Sequence, residues 1–85
     1  MTQMIARYAI SDYARFKAAF DGDAEDRGNN GLSLLQLWRE NDRSAWALYS
    51  VGDAASARAY LEGAAGVFNS LAGVTGTEFH FVETA

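Results

Sequence analysis

The side chains able to do chemistry in this 85-residue sequence are few. His80 is its one histidine, and histidine alone has an ordinary pKa near neutrality, so it is the default general base. Glu78, two positions earlier and on the same strand face, would fix the imidazole tautomer and raise its basicity. The other reading of His80 is an interface or surface histidine on an edge strand. Arg7 and Arg39 stand among apolar neighbours. A half-buried arginine needs an anion. The anion is either a substrate carboxylate or phenolate, or one of Glu40, Asp42 and Glu83. Tyr8 either donates to a substrate carbonyl or phenolate, or packs beneath the first helix. Trp38, Trp46 and Tyr49 suit the wall of an aromatic pocket, and equally a core or a subunit interface.

Composition removes several alternatives. With no cysteine there is no disulfide, thiolate metal site or cysteine nucleophile, and one histidine excludes a multi-histidine metal site within the chain. No cofactor is expected. A net charge of -4 and a pI near 4.7 repel phosphate backbones and anionic lipid, so neither nucleic acid nor membrane is expected as a partner. No apolar run approaches the roughly 20 residues of a membrane span. The opening MTQMIARYAI has no basic stretch leading into a long apolar one, so the expected location is cytoplasmic. Hydrophobic content of 49% indicates a packed fold. One domain over residues 1–85 is the expectation for this length.

The elements that must position these residues follow from periodicity. Thr2 to Ile10 reads as a strand with Met4, Ala6, Tyr8 and Ile10 on one face. Ser11 is the expected N-cap of a helix whose stripe is Tyr13, Phe16, Phe20 and Ala24. Arg27 to Gly31 reads as a helix stop and loop, with Gly28 suited to a left-handed cap. A hairpin follows: strand Leu32 to Arg39, turn Asn41-Asp42-Arg43-Ser44, strand Ala45 to Val51. Simple alternation groups Leu32, Leu34, Gln36 and Trp38 on one face of the first hairpin strand. Asp53 caps a second helix with the stripe Ala54, Ala57, Tyr60 and Leu61. A break is expected near Gly63, then a short segment from Ala64 to Leu71 burying Val67, Phe68 and Leu71. Val74 to Glu83 is the last strand.

The order βαββαβ predicts an α+β ferredoxin-like sandwich: a four-stranded antiparallel sheet with both helices on one face. That fold hosts many functions. RNA binding would need basic and aromatic residues on the central strands, and SAWALYSV has no basic residue. The first turn, Ile10-Ser11-Asp12, lacks the cysteine pair of a metallochaperone and the glycine cradle of an acylphosphatase.

Several stretches carry a resemblance. Arg7-Tyr8, Asp12-Tyr13, Phe16-Lys17 and Phe20-Asp21, then GLSLLQLWRE, Ala57-Arg58-Ala59-Tyr60 and AGVTGTEFHFVE, together resemble small proteins of the dimeric α/β-barrel superfamily. The nearest part of it is the uncharacterised branch beside the antibiotic biosynthesis monooxygenases. The resemblance implies two sheets packed face to face across a homodimer, with a pocket between each sheet and its helices. Members include cofactor-free monooxygenases and cyclases of aromatic polyketides, lactone isomerases and haem-degrading enzymes. Relatives often carry a histidine where Tyr8 stands.

Two functional readings follow. In the first, a homodimer binds a small aromatic or phenolic molecule and acts as a cofactor-independent monooxygenase or isomerase. Trp38, Trp46 and Tyr49 hold the ring, Tyr8 and Arg7 or Arg39 the oxygen or anion, and His80 takes the proton. In the second, the chain is a non-catalytic binding or dimerisation module. An open cavity with polar groups pointing inward favours the first; a filled space favours the second.

The homodimer is expected on either reading. No strand of the hairpin has a clean polar face, and 85 residues provide cover for only one side of a sheet. A bare apolar sheet face exceeds the patch that monomers tolerate, and pairing would bury about 800 Å² per subunit. Light scattering at micromolar concentration should therefore give twice the 9.2 kDa chain mass; a stable monomer would defeat this expectation.

Overall fold

A computed structural model describes residues 1–85, the side chains of Ala64 and Ala65 excepted. The chain forms strand β1 (Thr2–Ile10), helices α1 (Tyr13–Gly22) and α2 (Ala24–Asn29), strands β2 (Leu32–Asn41) and β3 (Ser44–Val51), helix α3 (Ala54–Ala72) and strand β4 (Val74–Glu83). The strands make one antiparallel sheet in the order β2-β3-β1-β4. This is the ferredoxin-like α+β architecture that the pattern implied. Among the described residues, no helix is long and apolar enough to cross a membrane.

Alternation in β1 and β3 builds the helix-side face of the sheet. Met4, Ala6, Tyr8 and Ile10 of β1 are buried, as are Ala45, Ala47, Tyr49 and Val51 of β3. Helix α1 answers with Phe16 and Phe20, both fully covered. Its N-cap is Asp12, whose carboxylate accepts from the Arg15 amide at 3.1 Å, and not Ser11. The Ser11 amide instead donates to the Gly73 carbonyl at 3.0 Å, tying the start of α1 to the start of β4.

Four local expectations need correction. The stretch read as a loop from Arg27 is part of α2, and the left-handed glycine falls at Gly31, not Gly28. Asp23 is the junction: its amide donates to the Ala19 and Phe20 carbonyls, closing α1, while its own carbonyl accepts from Arg27 and starts α2. Helix α3 runs unbroken through Gly63 and Gly66, because its alanine-rich sequence has strong helix propensity. Its last turns bury Ala72 and half-bury Phe68, while Val67 and Leu71 are about two-thirds exposed at 70% and 66%. The hairpin turn is shorter than expected, with Asn41 and Ser44 already paired.

The fourth correction decides which side chains share a face. In β2 the register shifts between Leu34 and Gln36, so Leu35 is an extra residue. Alternation therefore flips there. Leu32 and Leu34 lie on the helix side, but Gln36 and Trp38 lie on the open side, where Trp38 pairs directly with Trp46. A row then crosses the open face from Trp38 to Trp46, Arg7 and Glu78, beside a second row of Gln36, Leu48, Ile5 and His80.

Helix α3 ends on Gly73, at φ 70°. Arg15 reaches across from α1 and donates to the Ser70 and Leu71 carbonyls at 2.6 and 3.0 Å, satisfying acceptors that the helix end leaves open. A Cβ on Gly73 would stand 2.5 Å from the Ser11 hydroxyl. Gly73→Ala should therefore lose about 1–2 kcal/mol from the left-handed backbone and that collision. Urea denaturation checks it, with Gly28→Ala, inside α2 with open space for its Cβ, as the control that should lose nothing and gain up to about 1 kcal/mol.

Candidate functional site

The site begins with a volume problem. At the sheet centre Ala6 pairs with Ala47, and these methyl groups leave depth beneath the helices. On either side of that pair stand Tyr8, opposite Ala45, and Tyr49, opposite Met4. Their rings lean together, and the hydroxyls meet at 2.7 Å. Phe16, Phe20, Phe68 and Phe79 surround Tyr8 with ring centroids 5.2–6.5 Å away. Burial pushes the Tyr8 pKa up to about 12, although the Tyr49 hydrogen bond lowers it somewhat. Burial, followed by the neighbouring Tyr8, raises Tyr49 still further. Both phenols are therefore neutral donors at physiological pH.

The α1–α2 junction delivers the charge. Arg27 is only 6% exposed. Its guanidinium lies 3.7 Å from the Phe20 ring centroid, and Nη1 donates to the Phe20 carbonyl at 2.7 Å. The nearest carboxylate oxygen is Asp23 Oδ2, at 3.8 Å. That same oxygen lies 3.0 Å from the Tyr60 hydroxyl, which is also 3.1 Å from Asp26 Oδ2. Burial, and then hydrogen bonding to the two aspartates, raises the Tyr60 pKa.

Two spaces meet at these residues. An inner chamber of about 30 Å³ lies against Tyr8, Phe20, Arg27, Phe68 and Phe79. An outer cleft of about 360 Å³ opens between α1 and α3, against Ala19, Gly22, Val67 and Leu71. Asp23, Tyr60 and Phe68 wall both. The chamber has room for a water or a small polar group, and the cleft is in the size range of ligand sites.

The sheet splits the residues that the sequence grouped into one site. Tyr8 and Tyr49 are on the helix side. Arg7, Trp38, Trp46 and His80 are on the open side, so Tyr49 and the two tryptophans cannot hold one ring within a single chain. There Arg7 lies 5.9 Å from the Trp46 ring centroid, and the Trp46 indole donates to Glu40 at 2.7 Å. That bond, with a second from Ser44, lowers the Glu40 pKa. His80 Nε2 is 3.9 Å from Glu78 Oε2, with both side chains more than half exposed. His80 is across the sheet from the chamber and cannot take a proton from a ligand there. Arg39 pairs with Asp42 and lies 5.1 Å from the Tyr13 ring centroid, at the end of the hairpin.

Sequence reasoning missed Arg27, Asp23, Asp26 and the polar use of Tyr60. A signal was present: Arg27 falls seven residues after Phe20 and continues the buried stripe of Phe16 and Phe20.

No family profile and no curated protein matches the chain. Solved structures do. The fold is similar to a point variant of SnoaB, a cofactor-independent oxygenase from Streptomyces nogalater, with a TM-score of 0.72 and 20% identity over 98% of this chain and 91% of that one. It is similar to a protein provisionally assigned as an antibiotic biosynthesis monooxygenase from Deinococcus radiodurans, with a TM-score of 0.71 and 13% identity over 100% and 93%. It is also similar to a NIPSNAP domain protein from Burkholderia xenovorans, with a TM-score of 0.67 and 15% identity over 100% and 95%. The class is thus a ferredoxin-like fold whose structural neighbours are antibiotic biosynthesis monooxygenase-like proteins of low sequence identity.

The tyrosine pair makes a stability prediction. Tyr8→Phe or Tyr49→Phe leaves one buried hydroxyl without its partner and should cost about 1–3 kcal/mol, with the double variant costing less than the sum of the two. An unfolded tyrosine ionises near pH 10, whereas folded Tyr8 holds its proton to about pH 12. The unfolded state therefore sheds protons first, so stability is full below about pH 10 and falls as pH rises through 12. Urea titrations from pH 8 to 11.5 should show this fall, with a shallower slope in the double variant.

Proposed function

We propose that the chain binds a small hydroxylated aromatic molecule between its sheet and helices and oxygenates it without a cofactor. The observation that carries this reading is the ring-sized cleft joined to an aromatic chamber into which Tyr8, Arg27, Tyr60 and Asp23 converge. Ligand sites have this character: mostly apolar walls with a few placed polar groups. A filled space would have favoured the non-catalytic module. The likeness to SnoaB, itself a cofactor-independent oxygenase, supports the same reading.

In this mechanism the ring lies in the cleft against Val67, Phe68 and Leu71, and its oxygen enters the chamber. The aromatic wall excludes water, and the neutral Tyr8 phenol borders the chamber where negative charge accumulates on the oxygen. The electron-rich ring carbon then attacks dioxygen. Overall, a phenol and O2 give a quinone and water. One oxygen atom goes to the ring carbon, and the other leaves as water with the ring and hydroxyl hydrogens. The substrate is the reductant, so none is supplied from outside.

The open face belongs to the same reading as the surface that pairs two copies. Trp38 is about half exposed there, and Ile5 and Leu48 on the neighbouring strands are half-buried. This apolar stripe on a sheet face supports a second copy as its cover.

With 1-naphthol as probe, purified protein should show a raised Tm and oxygen uptake that matches quinone formation and survives a chelator. Val67→Trp fills the cleft at an exposed position and should abolish both while leaving the ligand-free Tm unchanged. Oxygen uptake unaffected by Val67→Trp, or no response to any phenol tried, would overturn the reading.

A further inference from the structure

Arg27 is a buried cation whose pairing is incomplete in geometry. Its Nη1 is committed to the Phe20 carbonyl at 2.7 Å. Its nearest anion, Asp23, stands at 3.8 Å, beyond hydrogen-bond distance. Asp23 is meanwhile held by Tyr60, and Tyr60 is within reach of Asp26 as well. A hydroxyl carries one proton and donates to one of these carboxylates at a time. Asp23 therefore neutralises Arg27 only loosely. A cation in such surroundings is stabilised by any anion that approaches closer and brings good hydrogen-bond geometry. The 30 Å³ chamber beside it has room for one such group and no more.

We infer that Arg27 is the counter-ion of the ligand and that Asp23 is an internal stand-in which the ligand's anion displaces, so the site selects aromatic oxyanions. The inference rests on the aromatic-pocket reading above and sharpens it. The ring occupies the outer cleft. A single anionic oxygen group, phenolate or carboxylate, enters the chamber and pairs with the guanidinium. The Phe20 ring, 3.7 Å from the guanidinium, and the Phe20 carbonyl hold the cation in place before the ligand arrives. Asp23 keeps its bond from Tyr60 when it yields the arginine. Arg27 is thus a specificity-determining residue, and Asp23 sets how strongly it discriminates.

Equilibrium binding to the full chain tests this with three probes: 2-naphthoate, 2,4-dinitrophenolate and uncharged naphthalene. The wild type should bind one or both anions at least about ten-fold more tightly than naphthalene, the scale of a close charge pair; the two anion arms tell carboxylate from phenolate. Asp23→Asn keeps an acceptor for Tyr60 and gives up no capping bond, since the Asp23 side chain makes none to α2, but removes the competing charge. It should tighten anion binding about ten-fold and leave naphthalene unchanged, a gain that misfolding cannot produce. Arg27→Met should erase the preference for anions and retain naphthalene. Unchanged or weaker anion binding in Asp23→Asn, or equal affinity for naphthalene and both anions in the wild type, overturns the inference and leaves the aromatic pocket standing. Failure of all three probes to bind overturns the inference together with the pocket reading.

Discussion

Small side chains at the centre of the sheet constrain everything above it. Ala6, Ala45 and Ala47 are fully buried and contribute only methyl groups to the floor. Close packing then requires large side chains from elsewhere. Phe16 and Phe20 descend from α1, while Tyr8 and Tyr49 lean inward over the floor. Of the rings gathered there, Tyr8 and Phe20 also wall the inner chamber, together with Phe68 and Phe79. Packing alone does not require tyrosine at positions 8 and 49, where phenylalanine would fill as much space. One hydroxyl donates to the other at 2.7 Å, and the pair keeps one further proton to donate.

The second layer of organisation is the Asp23 junction. One residue ends α1 and begins α2, turning the chain just after Phe20. Beyond that turn Arg27, seven residues after Phe20, donates back to the Phe20 carbonyl. Tyr60 then reaches from α3 to the same junction. Three helices are thus pinned together by the polar groups that face the cavity. Stability and site chemistry share residues here, so substitutions at Arg27 disturb both, and conservative exchange at Asp23 is the cleaner probe of either.

The sequence carried most of the architecture and little of the site. Burial alternates in β1 and β3, and parity alone sorted their side chains into the right two sets, although β3 has no clean polar face; in α1 the spacing of Phe16 and Phe20 marked the buried side. The unbroken α3 was not legible, since Gly63 and Gly66 argue for a break that alanine-rich surroundings override. The Leu35 bulge was invisible, because an extra residue in one strand leaves no mark on composition. Yet it alone moves Trp38 to the open face. The expected aromatic site failed for that reason and for a simpler one: Trp46 and Tyr49 are an odd number of positions apart on one strand. Arg27 was missed because a glycine- and asparagine-rich tail, Gly28-Asn29-Asn30-Gly31, reads as loop even while the helix persists to Asn29.

Charge placement gives the cavity a depth-dependent character. The chain is acidic overall, at a formal charge of -4, and two carboxylates, Asp23 and Asp26, line the outer cleft beside Tyr60. A free inorganic anion approaching from solvent meets that negative rim first and gains nothing from the apolar cleft. Arg27 lies deeper, where low dielectric strengthens its attraction but only for a group that reaches it. An aromatic ring changes the balance, because burying its surface against Val67, Phe68 and Leu71 offsets the repulsion at the rim and carries the attached oxygen inward. Neither an uncharged arene nor a bare anion satisfies both ends of the site. A ring bearing a single oxyanion does, and the opposite face of the sheet, with its own tryptophan and arginine row, takes no part in that choice.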